Sequence, residues 1–189
     1  MIRLIDPKDH RTVPWKNGGG TATDYVVEHT ADGDVAWRIG TAEIVRDGPF
    51  SDYAGVTRVF TIIRGPGLLL DFPGEGERRV APDRPTRFAG APAPFSRLDG
   101  AHATAFNLLM RDDAFAGDVE IRRGQGLAEP VPAAGTIAVV ALDGVWQITG
   151  PAGEARLTAG WTALADAAAG MVLKGSPDAR AAVVRLEPI

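Results

Sequence analysis

The sequence predicts an all-β chain in which one barrel unit occurs twice, and three observations carry that expectation. The 23 glycines and 14 prolines of this 189-residue chain cut it into short apolar segments, the pattern of a sandwich or barrel. Two apolar pairs read as hairpins: Val59–Ile63 with Leu68–Phe72 across Arg64-Gly65-Pro66-Gly67, and Ile137–Leu142 with Val145–Thr149 across Asp143-Gly144. The segments after the two pairs also correspond.

After the first pair, Pro73-Gly74-Glu75-Gly76-Glu77 leads to Pro82 and a short segment ending at Phe88. After the second, Gly150-Pro151-Ala152-Gly153-Glu154 leads to Gly160-Trp161 and a segment ending near Leu164. Leu98-Asp99-Gly100 then precedes the strand Ala105–Met110, as Leu173-Lys174-Gly175 precedes Ala181–Leu186. Four features in the same order argue for an internal duplication. Asp112 to Asp118 is the one segment that reads as a helical turn or linker. Ala163 to Ala169 is alanine-rich, but Gly160 and Gly170 bracket it, so strand and turn fit the repeat better. Gly124 to Pro132 reads as the connection into the second unit.

Composition excludes several functions. A formal net charge of -4 leaves no basic excess to neutralise phosphates, so nucleic acid is not an expected partner. With no cysteine, disulfides, thiolate catalysis and zinc-thiolate sites are ruled out. Met1-Ile2-Arg3-Leu4-Ile5-Asp6 meets charge too early for a signal peptide. No apolar run approaches the ~20 residues of a membrane span, and the expected location is the cytoplasm.

Trp15-Lys16-Asn17-Gly18-Gly19-Gly20-Thr21 stands out locally. Three successive glycines lose much entropy on ordering, so an ordered triplet implies special backbone conformations or a close approach that a side chain would forbid. A P-loop would need its lysine after the glycines, at the start of a helix, whereas Lys16 precedes them and Thr21–Val27 reads as strand. No dinucleotide fingerprint lies between a strand and a helix either.

The segments Trp15–Thr21, Trp37-Arg38-Ile39-Gly40-Thr41-Ala42, Asp47-Gly48-Pro49-Phe50-Ser51, Gly55 to Arg58, and Phe106-Asn107-Leu108 with Arg111 resemble the HutD/Ves family, in order. The second half matches only by its repeat pattern. The resemblance implies a bicupin, two cupin-like antiparallel β-barrels of the RmlC-like jelly-roll type in one chain. The halves are expected at 1–118 and 119–189, with the terminal strand a candidate for exchange between them. The resemblance further implies an association with histidine catabolism, in a family with no enzymatic activity established as a class. Ala105 departs from an acidic residue usual before Phe-Asn, and Gly40 from a common serine.

Metal cupins gather histidines and a carboxylate around a divalent ion. Here His10, His29 and His102 lie apart in polar or turn segments, so neither a metal nor another cofactor is expected. No nucleophile elbow surrounds Ser51, Ser96 or Ser176. The arginines are more suggestive. Alternation puts Arg38, Gly40 and Ala42 on one face, which leaves room beside a guanidinium. Arg58 shares a face with Phe60 and Ile62, at the end of an apolar row. With the family match, the expected ligand is a small carboxylate metabolite bound by Arg38 and Arg58, with Asn107 as amide donor and Trp15, Lys16 and Asn17 closing the pocket. Arg111 is a weaker candidate, because a charge run comes after it. The second barrel is expected to be structural. Two other readings stay open: a metal-free isomerase or hydrolase with His102, Glu43 or Asp24 in acid-base roles, and an interaction module without a pocket. A homodimer is a candidate assembly.

Overall fold

A computed structural model describes residues 1–15, 20–168 and 170–189. The chain forms two compact units, one of residues 10–115 and one of residues 1–9 with 116–189. Compared with the expected halves, the division falls three residues earlier. The N-terminal strand β1 (Ile2–Ile5) lies in the second unit, where Ile2 to Ile5 pair with Ala165 to Thr162.

The first unit holds β2 (Arg11–Pro14), β3 (Gly20–His29), β4 (Val35–Ile44), β5 (Gly48–Pro49), β6 (Val56–Arg64), β7 (Leu68–Phe72), β8 (Gly76–Val80), β9 (Thr86–Ala89), β10 (Phe95–Leu98) and β11 (Ala103–Arg111). They form a six-stranded sheet, β2-β3-β4-β11-β6-β9, and a four-stranded sheet, β5-β10-β7-β8. Phe60, Ile62, Leu68, Leu70, Phe72 and Phe88 lead its core.

The second unit is built from β12 (Phe115–Arg123), β13 (Ala128–Pro130), β14 (Ala134–Asp143), β15 (Val145–Gly150), β16 (Gly153–Thr158), β17 (Thr162–Ala168), β18 (Val172–Gly175) and β19 (Arg180–Pro188). Its sheets run β1-β17-β14-β19-β12 and β13-β18-β15-β16. The order β4-β11-β6-β9 with β5-β10-β7-β8 thus recurs as β12-β19-β14-β17 with β13-β18-β15-β16. The duplication is real and reaches back to β4, further than its glycine pattern reveals.

Both expected hairpins are corrected. β6 and β7 belong to different sheets, as do β14 and β15. Each strand leaves its sheet through a bulge: Ile63 is the extra residue between the pairs Ile62↔Ala105 and Arg64↔Thr104, and Leu142 between Ala141↔Ala181 and Asp143↔Arg180. A bulge bends and twists a strand, here into a corner between two sheets. The corner glycines suit it: Gly67 has φ +114°, and a Cβ there would stand 2.5 Å from the Val80 carbonyl oxygen. True hairpins come one strand later, at β7–β8 and β15–β16. Of the helical turn or linker expected at Asp112 to Asp118, the turn is present over residues 112–114 and the rest is the start of β12, while Thr162–Ala168 is the strand expected there. The one helical element among the described residues is a 3-10 turn at Pro7–Asp9.

Candidate functional site

The first unit contains a cavity of about 470 Å³, and the pairing of its large sheet explains which side chains reach it. Asp24 on β3 is opposite Gly40 on β4, Gly40 opposite Asn107 on β11, and Asn107 opposite Phe60 on β6. The adjacent row on the same face runs Arg38, Leu109, Arg58, Phe88. Side chains two residues apart share a face, so these rows put both arginines, Asn107 and Asp24 along one wall. Pro49, Phe50 and Tyr53 form part of the lining, as do Val13, Pro14 and Trp15 of β2 and its end.

Gly40 is small for a reason other than ligand space. A Cβ there would stand 2.2 Å from the Thr23 carbonyl oxygen, because β3 bulges at Tyr25 beside it. Gly20 is more constrained still, its Cβ position lying 1.7 Å from the Glu43 carbonyl oxygen. The last glycine of the triplet therefore meets the expectation of a close backbone approach. Trp15 N–H donates to the Gly20 carbonyl at 2.9 Å, and the Trp15 ring meets Phe50 edge-on at 6.2 Å. Lys16 and Asn17, expected to close the pocket, lie outside the described residues, as do Gly18 and Gly19.

Arg58 is the unusual charge. It is 8% exposed, and its guanidinium carbon lies 5.0, 5.5 and 5.7 Å from the ring centres of Phe50, Tyr53 and Phe88. Its Nε is buried without a hydrogen-bond partner, and no carboxylate among the described residues pairs with it. Burial pushes the guanidinium down to about 10, with Tyr53 opposing the drop and Arg38 adding to it. Aromatic faces supply part of the missing compensation.

Arg38 is better held. Its Nη2 donates to the Tyr53 hydroxyl at 3.1 Å, its Nη1 lies 3.6 Å from an Asp24 oxygen, and its guanidinium carbon is 5.4 Å from the Tyr53 ring centre. Tyr53 thus touches both arginines. It rides on the loop after β5, which is tied down by Tyr53 N–H to the Gly90 carbonyl at 2.9 Å and Phe50 N–H to the Pro94 carbonyl at 3.0 Å. Asn107 is 9% exposed and its Oδ1 is buried without a partner.

Of the expected site residues, Arg38, Arg58, Asn107 and Trp15 meet in this cavity. Arg111 does not; it is held on the surface by Asp113 at 2.6 Å and Asp34 at 3.3 Å. Glu43 is exposed and accepts from the Thr104 hydroxyl at 3.1 Å, and His102 is exposed in the turn before β11. Neither lines the cavity, although Asp24 does. His10 stacks on Tyr25 at 4.1 Å, and His29 ends β3. No cluster of three or more His, Cys, Asp or Glu suited to a metal occurs among the described residues. Sequence reading missed Tyr53 and Phe88. The one local signal for Tyr53 is an aromatic in an otherwise polar and small-residue loop, Ser51-Asp52-Tyr53-Ala54-Gly55.

The second unit does not repeat this wall. Counting from the matching bulges at Ile63 and Leu142, Arg58 corresponds to Ile137, and Asn107 to Val183. Both counterparts are fully buried in an apolar core with Trp146, Ile148 and Leu157.

Fold and cavity define a bicupin with a basic, aromatic-lined pocket in one of its two jelly rolls. The chain belongs to the HutD family, whose model matches residues 7–183. It is 32% identical over 111 residues to an uncharacterized 21.2 kDa protein in the hutC 3' region of Pseudomonas putida, covering 58% of each chain. It is 28% identical over 117 residues to the protein Ves of Citrobacter koseri, covering 60% of this chain and 61% of that one. The matched region thus spans about three-fifths of these curated relatives. Over its full length the chain superimposes on the structure of HutD from Pseudomonas fluorescens SBW25 (formate condition), with a TM-score of 0.84, 26% identity and 100% coverage of both. Among the described residues no helix is long and apolar enough to cross a membrane.

Proposed function

We propose that the first barrel binds a small carboxylate metabolite, and that the protein serves histidine utilisation in the cytoplasm as a regulatory or sequestering factor without a resident metal. The observation that carries this reading is Arg58: a buried cation, facing a cavity, with no carboxylate of its own. Such a charge is costly unless something anionic completes it. A carboxylate is the anion whose planar edge suits a guanidinium fork. Arg38 and Asn107 stand on the same wall to share the load. The gene-region name of the Pseudomonas putida relative supports the histidine link, and the formate condition named for the Pseudomonas fluorescens structure agrees with a carboxylate. An enzymatic reading would need a base in the cavity; His102 and Glu43 lie outside it, and Asp24, the candidate that lines it, is ion-paired with Arg38 at 3.6 Å.

Isothermal titration calorimetry tests the proposal with histidine-degradation acids and simple carboxylates. A metabolite acid should bind to the wild type and lose at least tenfold in affinity in Arg58→Met. Equal affinity in both proteins, or no binding by any acid at millimolar concentration, would refute it.

A further inference from the structure

The twin barrels differ at one seam. In the second unit β1 pairs with the outer edge of β17, Ile2 opposite Ala165 and Arg3 opposite Leu164, and it also meets β16. It thereby bridges the edges of the two sheets, and Ile2 packs on the same core as Ala155 of β16. In the first unit the counterpart of β17 is β9. Arg58 pairs with Phe88 as its counterpart Ile137 pairs with Ala165, which sets Phe88 at Ala165 and Arg87 at Leu164. The large sheet ends there, and among the described residues no strand pairs with the outer edge of β9. Between β9 and β8 lies a second cavity, of about 230 Å³, with Phe72 and Phe88 from the core and Arg78, Arg87 and Pro92 in its wall. Arg78 of β8 falls at Ala155 of β16, because Leu70 opposite Arg78 matches Ile148 opposite Ala155. Its guanidinium lies over the Phe72 ring at 4.8 Å, donates to the Arg87 carbonyl at 3.4 Å and stands 3.7 Å from a Glu75 oxygen. The last two contacts are long, and the side chain is half-exposed, so Arg78 is a lightly held latch across the seam.

We propose that the β8–β9 seam is a docking site for an extended segment of a partner protein, which adds to β9 as β1 adds to β17, with an apolar residue opposite Phe88 and an acidic residue opposite Arg87. An uncovered sheet edge is a template for strand pairing, and the second barrel shows what covers this one. Strand addition draws affinity from main-chain bonds and selectivity from alternate side chains. In β1 the core-facing residue is Ile2, opposite Ala165, and the next residue, opposite Leu164, is Arg3. Carried to the first barrel, the apolar residue meets Phe88 and still suits it. A cation would instead stand against Arg87, and like charges across a strand pair repel. Arg78 and Arg87 against Glu75 also leave the cleft with a net positive charge. Both observations select an acidic residue in place of the arginine. They disfavour β1 of a second copy, which carries Arg3 and is already paired with β17. The incoming strand takes the Arg87 carbonyl over from Arg78.

Fluorescence anisotropy with fluorescein-labelled, C-terminally amidated peptides tests this. The probes are Ser-Ile-Glu-Leu-Ile-Ser, the same peptide with Arg or Gln in place of Glu, and the Glu peptide N-methylated either at Glu or at its two neighbours. In the wild type the Glu peptide should bind about fivefold tighter than the Arg peptide, with the Gln peptide between them. One of the two methylation patterns should abolish binding and the other leave it, because only alternate amides of an added strand face the sheet. Arg87→Glu should invert the order of the Glu and Arg peptides. Arg78→Ala, which copies Ala155 of the twin, removes the latch and should bind the neutral Gln peptide more tightly than the wild type does. Urea unfolding establishes that the variants are folded; should Arg87→Glu not be, Arg87→Gln takes its place and should bring the Glu and Arg peptides to equal affinity. No anisotropy change with any peptide up to about 1 mM would overturn the proposal. So would indifference to both methylation patterns, the wild-type order persisting in the Arg87 variant, or no gain in Arg78→Ala. An Arg peptide tighter than the Glu peptide in the wild type would also overturn it, and would point to β1 of a second copy as the occupant.

Discussion

Replacing Arg58 by methionine should make the empty protein more stable while abolishing its response to carboxylates. The cost of the buried charge sets the magnitude. At ~1.4 kcal/mol per tenfold change in proton affinity, a guanidinium pushed down to about 10 carries a penalty on the order of 3 kcal/mol. Methionine has a similar reach and no charge, and removes that penalty. The three aromatic contacts oppose the gain, and their loss costs roughly 1–2 kcal/mol together. The net is a stabilisation of about 1–2 kcal/mol, or a rise in Tm of roughly 2–8 °C. Differential scanning calorimetry in a buffer free of carboxylate, phosphate and sulfate measures it. Linkage fixes the sign with pH. Arg58 has a lower pKa folded than unfolded, so its penalty is full at neutral pH and is relieved as pH rises through about 10. The gap between variant and wild type should therefore narrow above pH 10. A clear fall in Tm for Arg58→Met in that buffer would refute the reasoning, because it would mean that the protein already satisfies the charge.

Other substitutions probe the frame around the site. Gly20→Ala should prevent soluble folding, since its Cβ would lie 1.7 Å from a backbone oxygen of β4, and Gly40→Ala, at 2.2 Å from Thr23, should cost on the order of 2–3 kcal/mol in urea unfolding. Tyr53→Phe keeps both ring contacts and loses the hydroxyl that accepts from Arg38, so carboxylate affinity should fall only a few-fold by calorimetry; Tyr53→Leu should lose far more. Ile137→Arg recreates the Arg58 position in the closed second core and should destabilise by about 3–5 kcal/mol, with a matching drop in the urea midpoint. A tolerated Ile137→Arg would show that the second barrel also has room for a charge.

Local alternation is enough to find part of the cavity wall. Arg38 with Gly40 and Ala42, and Arg58 with Phe60 and Ile62, share faces because β4 and β6 are regular over those residues, and regular strands carry their facing in the sequence. Tyr53 carries no such signal. It sits in an irregular loop whose position is fixed by Gly90 and Pro94, partners some forty residues away, so its contact with both arginines depends on long-range pairing. The corners mislead for a related reason. A glycine turn between two apolar runs suits a hairpin and a jelly-roll corner alike. The two differ in whether the second strand pairs with the first or with a later one, and β7 pairs with β8 and β10.

The same limit bears on how the two barrels compare. The repeat is visible in sequence through its corner glycines, and matching Gly67 to Gly144 would equate Arg58 with Gly135, suggesting that the second barrel had merely emptied this position. The bulges set a different count. The first corner contains Gly65-Pro66-Gly67, the second is shorter by two residues, and from the bulges Arg58 falls on Ile137. The position is therefore filled by a large apolar side chain and closed. Even spacing cannot reveal this, because an insertion of two residues preserves the face of every strand residue while shifting which of them reaches the cavity. The arginine-lined cavity thus belongs to the first barrel, which carries a buried arginine without a carboxylate partner, while its twin keeps the frame and fills the corresponding space with Ile137 and Val183.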